Sequence, residues 1–272
     1  MAATASTKIP PLLEPYLVVP PEGELVVMTS VLGASANWLV LRWVYGILNR
    51  AKRQVEEGEK GDTAVVLCSF LRDGAFWREG SGRMGLDLDS LYRSKSFTFV
   101  DGLTGLFVPD AEPSTGAGKD HVLRGSKIGE VAAGLEKAIA EVSGEDKKVV
   151  LLVDQMDAWL AMGEAGALEV LNMLGGLREK VHATVLTLSA DDPLLHAQNT
   201  TLEKEHAALT LSLAHEAQTV MALRLLDTGT ARDVSGVVRI TGGGKGDTER
   251  GDAEYLYYVA GDGGVRVFER GA

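Results

Sequence analysis

Residues 24–48 constrain the fold more than any other stretch of this chain. Leu25-Val-Val-Met28 is a β-prone apolar run, residues 29–35 form a short turn, and an apolar helix starts at about Asn37. A strand that turns directly into a helix is the usual opening unit of a nucleotide-binding α/β sheet, where the turn reads G-x-x-x-x-G-K-[ST]. Its backbone N–H groups and the helix N-terminus cradle phosphates, the Lys reaches the outer ones, and the hydroxyl holds Mg²⁺. Here Ser30 and Ser35 stand at the glycine positions, Ala36 at the Lys and Asn37 at the Ser/Thr. The frame is present without its chemical groups.

The rest of the chain supplies a sheet for that unit. Residues 63–69 (TAVVLCS), 97–100, 149–154 (VVLLVD) and 183–189 (ATVLTLS) are continuous β-prone runs, as buried parallel strands require. Between them, residues 126–144 carry Ile128, Val131, Leu135, Ile139 and Val142 on one helical face, with Ser126 as the expected cap and Gly144 as the expected terminator. A second helix is expected over residues 168–177. Residues 38–48 are apolar nearly all round, the pattern of a helix covered on two sides. The expected fold class is therefore α/β: a mainly parallel sheet flanked by helices. Residues 219–226, 237–241, 254–260 and 265–269 then read as an antiparallel meander, with Gly261-Asp-Gly-Gly264 as a hairpin turn.

Residues 52–62 and 70–77 read as a loop and a turn, and residues 109–120 (PDAEPSTGAGKD) as a turn-forming segment of low apolar content. Pro10, Pro11, Pro15, Pro20 and Pro21 make residues 1–23 an extended arm laid over the domain or over a partner, with residues 24–272 as one domain.

Charge limits function. The net charge of −11 argues against self-sufficient nucleic-acid binding, because neutralising phosphates supplies most of the non-specific affinity. Cys68 is the single cysteine and lies in an apolar run, so no intramolecular disulfide forms and an inert buried thiol is expected. The first eight residues lack the apolar core of a secretory signal, and no apolar run approaches about 18 residues, so a soluble intracellular protein without membrane contact is expected.

Several motifs bear on chemistry. VVLLVD has the form of the strand whose terminal acid orients Mg²⁺ and water beside a phosphate loop, which makes Asp154 the matching position. Two Gly-Lys sites, at Lys119 and Lys245, lack the first Gly and the strand-to-helix setting, and read as loop tips. Gly33-Ala-Ser35-Ala-Asn37 has part of the nucleophile elbow G-x-S-x-G, with Asp191 or Asp192 and His206 or His215 following in hydrolase order. A serine hydrolase built on Ser35 is thus one alternative, and an NTPase with an atypical phosphate loop another. Against the hydrolase, Asn37 replaces the last Gly and only one strand precedes the turn. His121, His182, His196, His206 and His215 show no metal-binding spacing, so no metal and no cofactor are expected. His206 and His215 read as members of solvated faces. Candidate RNA contacts are His196, Asn199 and Lys204 after the strand ending at Ser189, and Arg83, Arg93 and Lys95 around a Gly-rich turn.

The order of these elements resembles the RecA-type ATPase core. In that family the strand equivalent to residues 63–69 ends in a catalytic Glu, and here Leu71 stands in its place with Arg72 after it. More narrowly, TSVLGASAN, VVLLVDQMDAWLAMG and ARDVSGVVRI…YLYYVAGDGGVRVFERG, in that order, resemble the family of subunit six of the Elongator complex. That resemblance implies a RecA-like subunit without the ATPase signature, not an enzyme. It implies assembly with the related subunits four and five in a hetero-hexameric ring, tRNA binding through that ring, and work beside the catalytic Elongator subunits that modify wobble uridine. It also implies a cytoplasmic location, extending to the nucleus. In RecA-like rings the loops after the central strands face the pore, which singles out the segments after Asp154 and Ser189.

Overall fold

In the computed structural model, residues 8–56, 63–108, 120–125, 127–162, 165–227, 229, 231–244 and 252–270 are described. The proline-rich arm opens with a single 3₁₀ turn, Pro11–Leu13, and leads into β1 (Leu25–Ser30) and α1 (Asn37–Glu56). Next come β2 (Thr63–Ser69), α2 (Gly74–Arg83), α3 (Leu88–Arg93), β3 (Phe97–Asp101), α4 (Thr104–Phe107) and β4 (His121–Val122). The middle of the chain forms α5 (Ile128–Val142), β5 (Lys148–Asp154), α6 (Ala158–Met162), α7 (Ala167–Arg178) and β6 (Ala183–Ser189). A short π-turn, Pro193–Ala197, precedes α8 (Thr201–Glu216), and the chain finishes with β7 (Thr219–Arg224), β8 (Gly236–Gly242), β9 (Ala253–Val259) and β10 (Val265–Phe268).

The strands of the described residues join one sheet in the order β10-β9-β8-β7-β1-β6-β5-β2-β3-β4. Every neighbouring pair from β7 to β4 is parallel, and β7–β8, β8–β9 and β9–β10 are antiparallel. Side chains alternate between two buried faces, as the two-residue strand period demands. From β1, Val26 and Met28 join a core with the arm, α1, α2 and α3, while Leu25 and Val27 join a second core with α5, α6, α7 and α8. Covering on both faces explains why the central strands are apolar without interruption.

Helix α1 is apolar all round for a related reason. The sheet covers one side, and the arm covers another through Leu13 and Leu17, both fully buried. Trp43 Nε1–H donates to Val18 O at 3.0 Å, and His182 Nε2 meets Pro20 O at 3.1 Å. Burying each of those leucines contributes about 1.5–3 kcal/mol. Leu13 and Leu17 thus anchor the arm in the core it shares with α1.

The structure corrects several expectations. Residues 70–77 are not a plain turn: Asp73 Oδ1 accepts from Phe76 N at 2.9 Å and starts α2, which buries Trp77. The backbone of α1 continues through Glu56, past the expected loop boundary. Most of the connection after Ser189 is α8, started by a capping box in which Thr200 and Glu203 satisfy each other's backbone N–H groups. The first strand of the expected antiparallel group, β7, pairs parallel to β1, and the antiparallel pairing begins one strand later. Helix α5 ends with Ser143 in an extended conformation, its hydroxyl donating to Ile139 O, which puts Gly144 at the expected C′ position without a positive φ. The expected cap Ser126 and residues 109–119 lie outside the described residues.

Candidate functional site

The turn between β1 and α1 closes on itself. Ala34 N–H donates to Val31 O at 2.9 Å, and Gly33 takes φ +91°, a conformation that glycine allows at little cost. Leu32 N–H donates to Asp191 Oδ1 at 2.8 Å, while Ala190 N–H donates to Ser30 O at 2.8 Å. Ser35 Oγ accepts from Asn37 N at 3.2 Å, and Ala36 is buried where a phosphate-binding Lys would project. The Leu32, Ala34 and Asn37 amides of the turn are therefore bonded within the protein. Leu32, 86% exposed at the tip, puts an apolar side chain there instead.

Asp154 ends β5 directly opposite Ser69 of β2, with β6 on its other side. Its Oδ2 accepts from Ser69 Oγ and its Oδ1 from Thr187 Oγ1, both at 2.8 Å, and the residue is 1% exposed. Burial raises the Asp154 pKa, the two hydroxyls pull it down, neighbouring Asp157 pushes it up and Arg72 lowers it. Gln155 follows at φ +57°, held by its N–H to Thr187 Oγ1 at 2.8 Å and its Oε1 to Ser189 Oγ at 3.0 Å. With one hydroxyl on each oxygen, this carboxylate clamps three central strands together and does not face a ligand. Leu71 stands 44% exposed beyond β2, and Arg72 lies over the Phe76 ring at 5.0 Å. No cluster of three metal-ligating side chains forms among the described residues.

His206 overturns its expected place on a solvated face. It is 3% exposed, with Nε2 at 2.9 Å from Ser189 O and Nδ1 at 3.9 Å from Asp157 Oδ2, so it pins α8 to the end of β6. The signal lay in the helical spacing: His206, Leu209, Thr210 and Leu213 share one buried face. His215 is exposed, as expected. Among the described residues no histidine bonds to Ser35, so the elbow has no base: His121 meets Glu141, His182 meets Pro20 O and His196 meets Asp192.

A cleft of about 710 Å³ opens beside this turn, walled by α1, α2 and the β9–β10 hairpin. Ser35, Asn37 and Arg83 lie on it, together with Trp38, Phe76 and Tyr257. Arg42 of α1 lines it at 3% exposure. Its Nη1 donates to Trp38 O at 3.1 Å and its Nη2 to Gly263 O at 2.9 Å, while Nε has no partner. Burial lowers its pKa to about 10, which leaves it cationic at neutral pH.

The candidate RNA contacts fall into separate places. His196 and Lys204 are exposed beyond the C-terminal end of β6, as is Asn199, but His196 Nδ1 is 2.8 Å from Asp192 Oδ1. Arg93 and Lys95 immediately precede β3, at the opposite end of the parallel strands. Arg83 pairs with Glu79 at 2.6 Å on the cleft rim. Lys119 and Lys245 lie outside the described residues, and Gly243 packs against Ala217 O too closely for a side chain.

A family model described as Elongation complex protein 6 matches residues 59–260. Elongator complex protein 6 of Xenopus laevis is 27% identical over 216 residues, 76% of this chain and 80% of that protein. The Elongator complex protein 6 homolog of Schizosaccharomyces pombe is 22% identical over 198 residues, 70% of this chain and 72% of that one. Among solved structures, a KaiC-like protein from the archaeon Pyrococcus horikoshii OT3 superimposes with a TM-score of 0.61. The match covers 98% of this chain and 99% of that chain at 15% identity, which makes the fold RecA-like.

Proposed function

The chain belongs to the Elongation complex protein 6 family, and from that premise we propose that it is a non-catalytic ring subunit of the Elongator complex. In this reading it assembles with subunits four and five into a hetero-hexamer of two copies each. The ring binds tRNA and serves the catalytic Elongator subunits in wobble-uridine modification, in the cytoplasm and also in the nucleus. One observation supports the non-catalytic part most directly. Three amides of the β1–α1 turn, those of Leu32, Ala34 and Asn37, are bonded within the protein, and Asp154 is closed by two hydroxyls. A charge-assisted hydrogen bond is worth about 1.5–3 kcal/mol. Without the Lys, the Mg²⁺ hydroxyl and the catalytic Glu, both nucleotide affinity and transition-state stabilisation are lost together.

The test is size-exclusion chromatography with light scattering, run on this chain alone and with subunits four and five. The expected outcome is a mass for six chains only when all three are present, and no phosphate release from Mg-ATP by the isolated chain. A chain that ignores both partners, or that releases phosphate in a manner abolished by Asp154→Ala, would overturn the reading.

A further inference from the structure

The cleft beside α1 carries a feature that the proposed function does not account for. Arg42 has five N–H donors, of which two reach carbonyl oxygens of Trp38 and Gly263. No carboxylate lies within ion-pair distance of it among the described residues, and Nε is buried without an acceptor. The guanidinium also lies 5.9 Å from the Trp38 ring centroid, but a desolvated cation with no carboxylate beside it is costly to keep. The wall around it is apolar and aromatic: Trp38 and Tyr257 meet in a tilted pair, 4.8 Å between ring centroids, and Phe76 and Met84 also line it. At about 710 Å³ the cleft falls in the range of small-molecule sites, roughly 300–1,000 Å³.

We propose that this cleft binds a small organic carboxylate, its head on Arg42 and its apolar body against Trp38, Phe76 and Tyr257. The charge census favours a monoanion. Arg83 is already paired with Glu79, Lys8 lies over the Tyr45 ring, and Asp262 adds a carboxylate to the lining. A phosphate dianion would leave one negative charge unmatched between Glu79 and Asp262. A carboxylate matches the Arg42 guanidinium, the one on the cleft not paired with an acid, and Nη1 and Nη2 each keep a second N–H for its two oxygens. The N-terminal turn of α1, also on the cleft, adds the positive end of a twenty-residue helix.

Indole-3-propionate, its neutral amide and phenyl phosphate serve as probes, titrated into the full chain and followed by ligand-observed NMR. The acid is expected to bind at least about tenfold more tightly than the amide or the phosphate, the difference one charge-assisted hydrogen bond supplies. Arg42→Gln, which keeps a donor toward Gly263 O, should abolish the preference of acid over amide while far-UV circular dichroism stays unchanged. Should that variant fail to fold, Ser35→Trp at the exposed mouth of the cleft should still weaken the acid. Equal binding of acid and amide, preference for the phosphate, no saturable binding of the acid, or an acid affinity that neither substitution changes would each overturn the proposal.

Discussion

At Asp154 the environment works against the charge the side chain carries in water. Burial raises its pKa more than the Ser69 and Thr187 hydroxyls lower it. A carboxyl held above its unfolded value binds its proton more tightly in the folded state. Its contribution to stability is therefore fully present below the ordinary carboxylate range and declines as pH rises through the folded value. Asp154→Asn removes this titration while keeping the shape. Thermal unfolding of both proteins from about pH 4 to about pH 7 should show the wild type losing stability relative to the variant as pH rises. Parallel curves would mean that Asp154 does not titrate in that window. The residue itself was legible, because VVLLVD ends on it. Its partners were not, since Ser69 and Thr187 come from separate strands and only the register brings them to its two oxygens. His206 was misread for a similar reason: its acceptor, Ser189 O, lies 17 residues upstream.

Among the elements, α1 and the arm show where close approach outweighs local preference. A Cβ added at Gly46 would lie 2.4 Å from Leu17 O, whereas one added at Gly129 in α5 meets nothing within 4 Å. Ala improves on Gly by up to about 1 kcal/mol in a helix interior. Overpacking costs about 1–3 kcal/mol, and more when the obstacle is backbone. Gly46→Ala should therefore destabilise by about 1–2 kcal/mol in urea unfolding, while Gly129→Ala should stabilise by about 0.5–1 kcal/mol. Equal shifts of the same sign would show that the arm does not bear on α1. The central strands were legible because runs buried on both faces stay apolar from end to end. Helix α2 was hidden by its glycines, Gly74, Gly80 and Gly82, and depends on the Asp73 cap and on buried Trp77 and Ser81. Helix α8 had a readable start in Thr200-x-x-Glu203, but its buried face includes polar His206 and Thr210, which blurred the period.

For the whole molecule the governing quantity is the net charge of −11. Such a chain releases few counterions on its own, so in the proposed ring tRNA affinity belongs to the assembly, where several modest interactions act together. The parallel sheet puts the segments after β5 and β6 at one end, and the candidates divide there. His196 Nδ1 already meets Asp192 Oδ1, and Arg93 and Lys95 sit at the far end. Lys204 is exposed on the first turn of α8, and adjacent Glu203 spends its carboxylate on the capping box, accepting from Asn199 N and Thr200 N. That leaves the Lys204 ammonium free of an ion pair among the described residues, able to meet a phosphate without first breaking one. Lys204→Glu should weaken tRNA binding by the ring and lower its salt slope by about one for each phosphate that is no longer neutralised. Assembly should be unaffected, because the substitution touches no core residue. Filter binding across a salt series checks both, with light scattering to confirm the ring. An isolated chain that binds tRNA as tightly as the ring would defeat the reasoning from charge. Unchanged binding by Lys204→Glu would place the tRNA away from this end of the sheet.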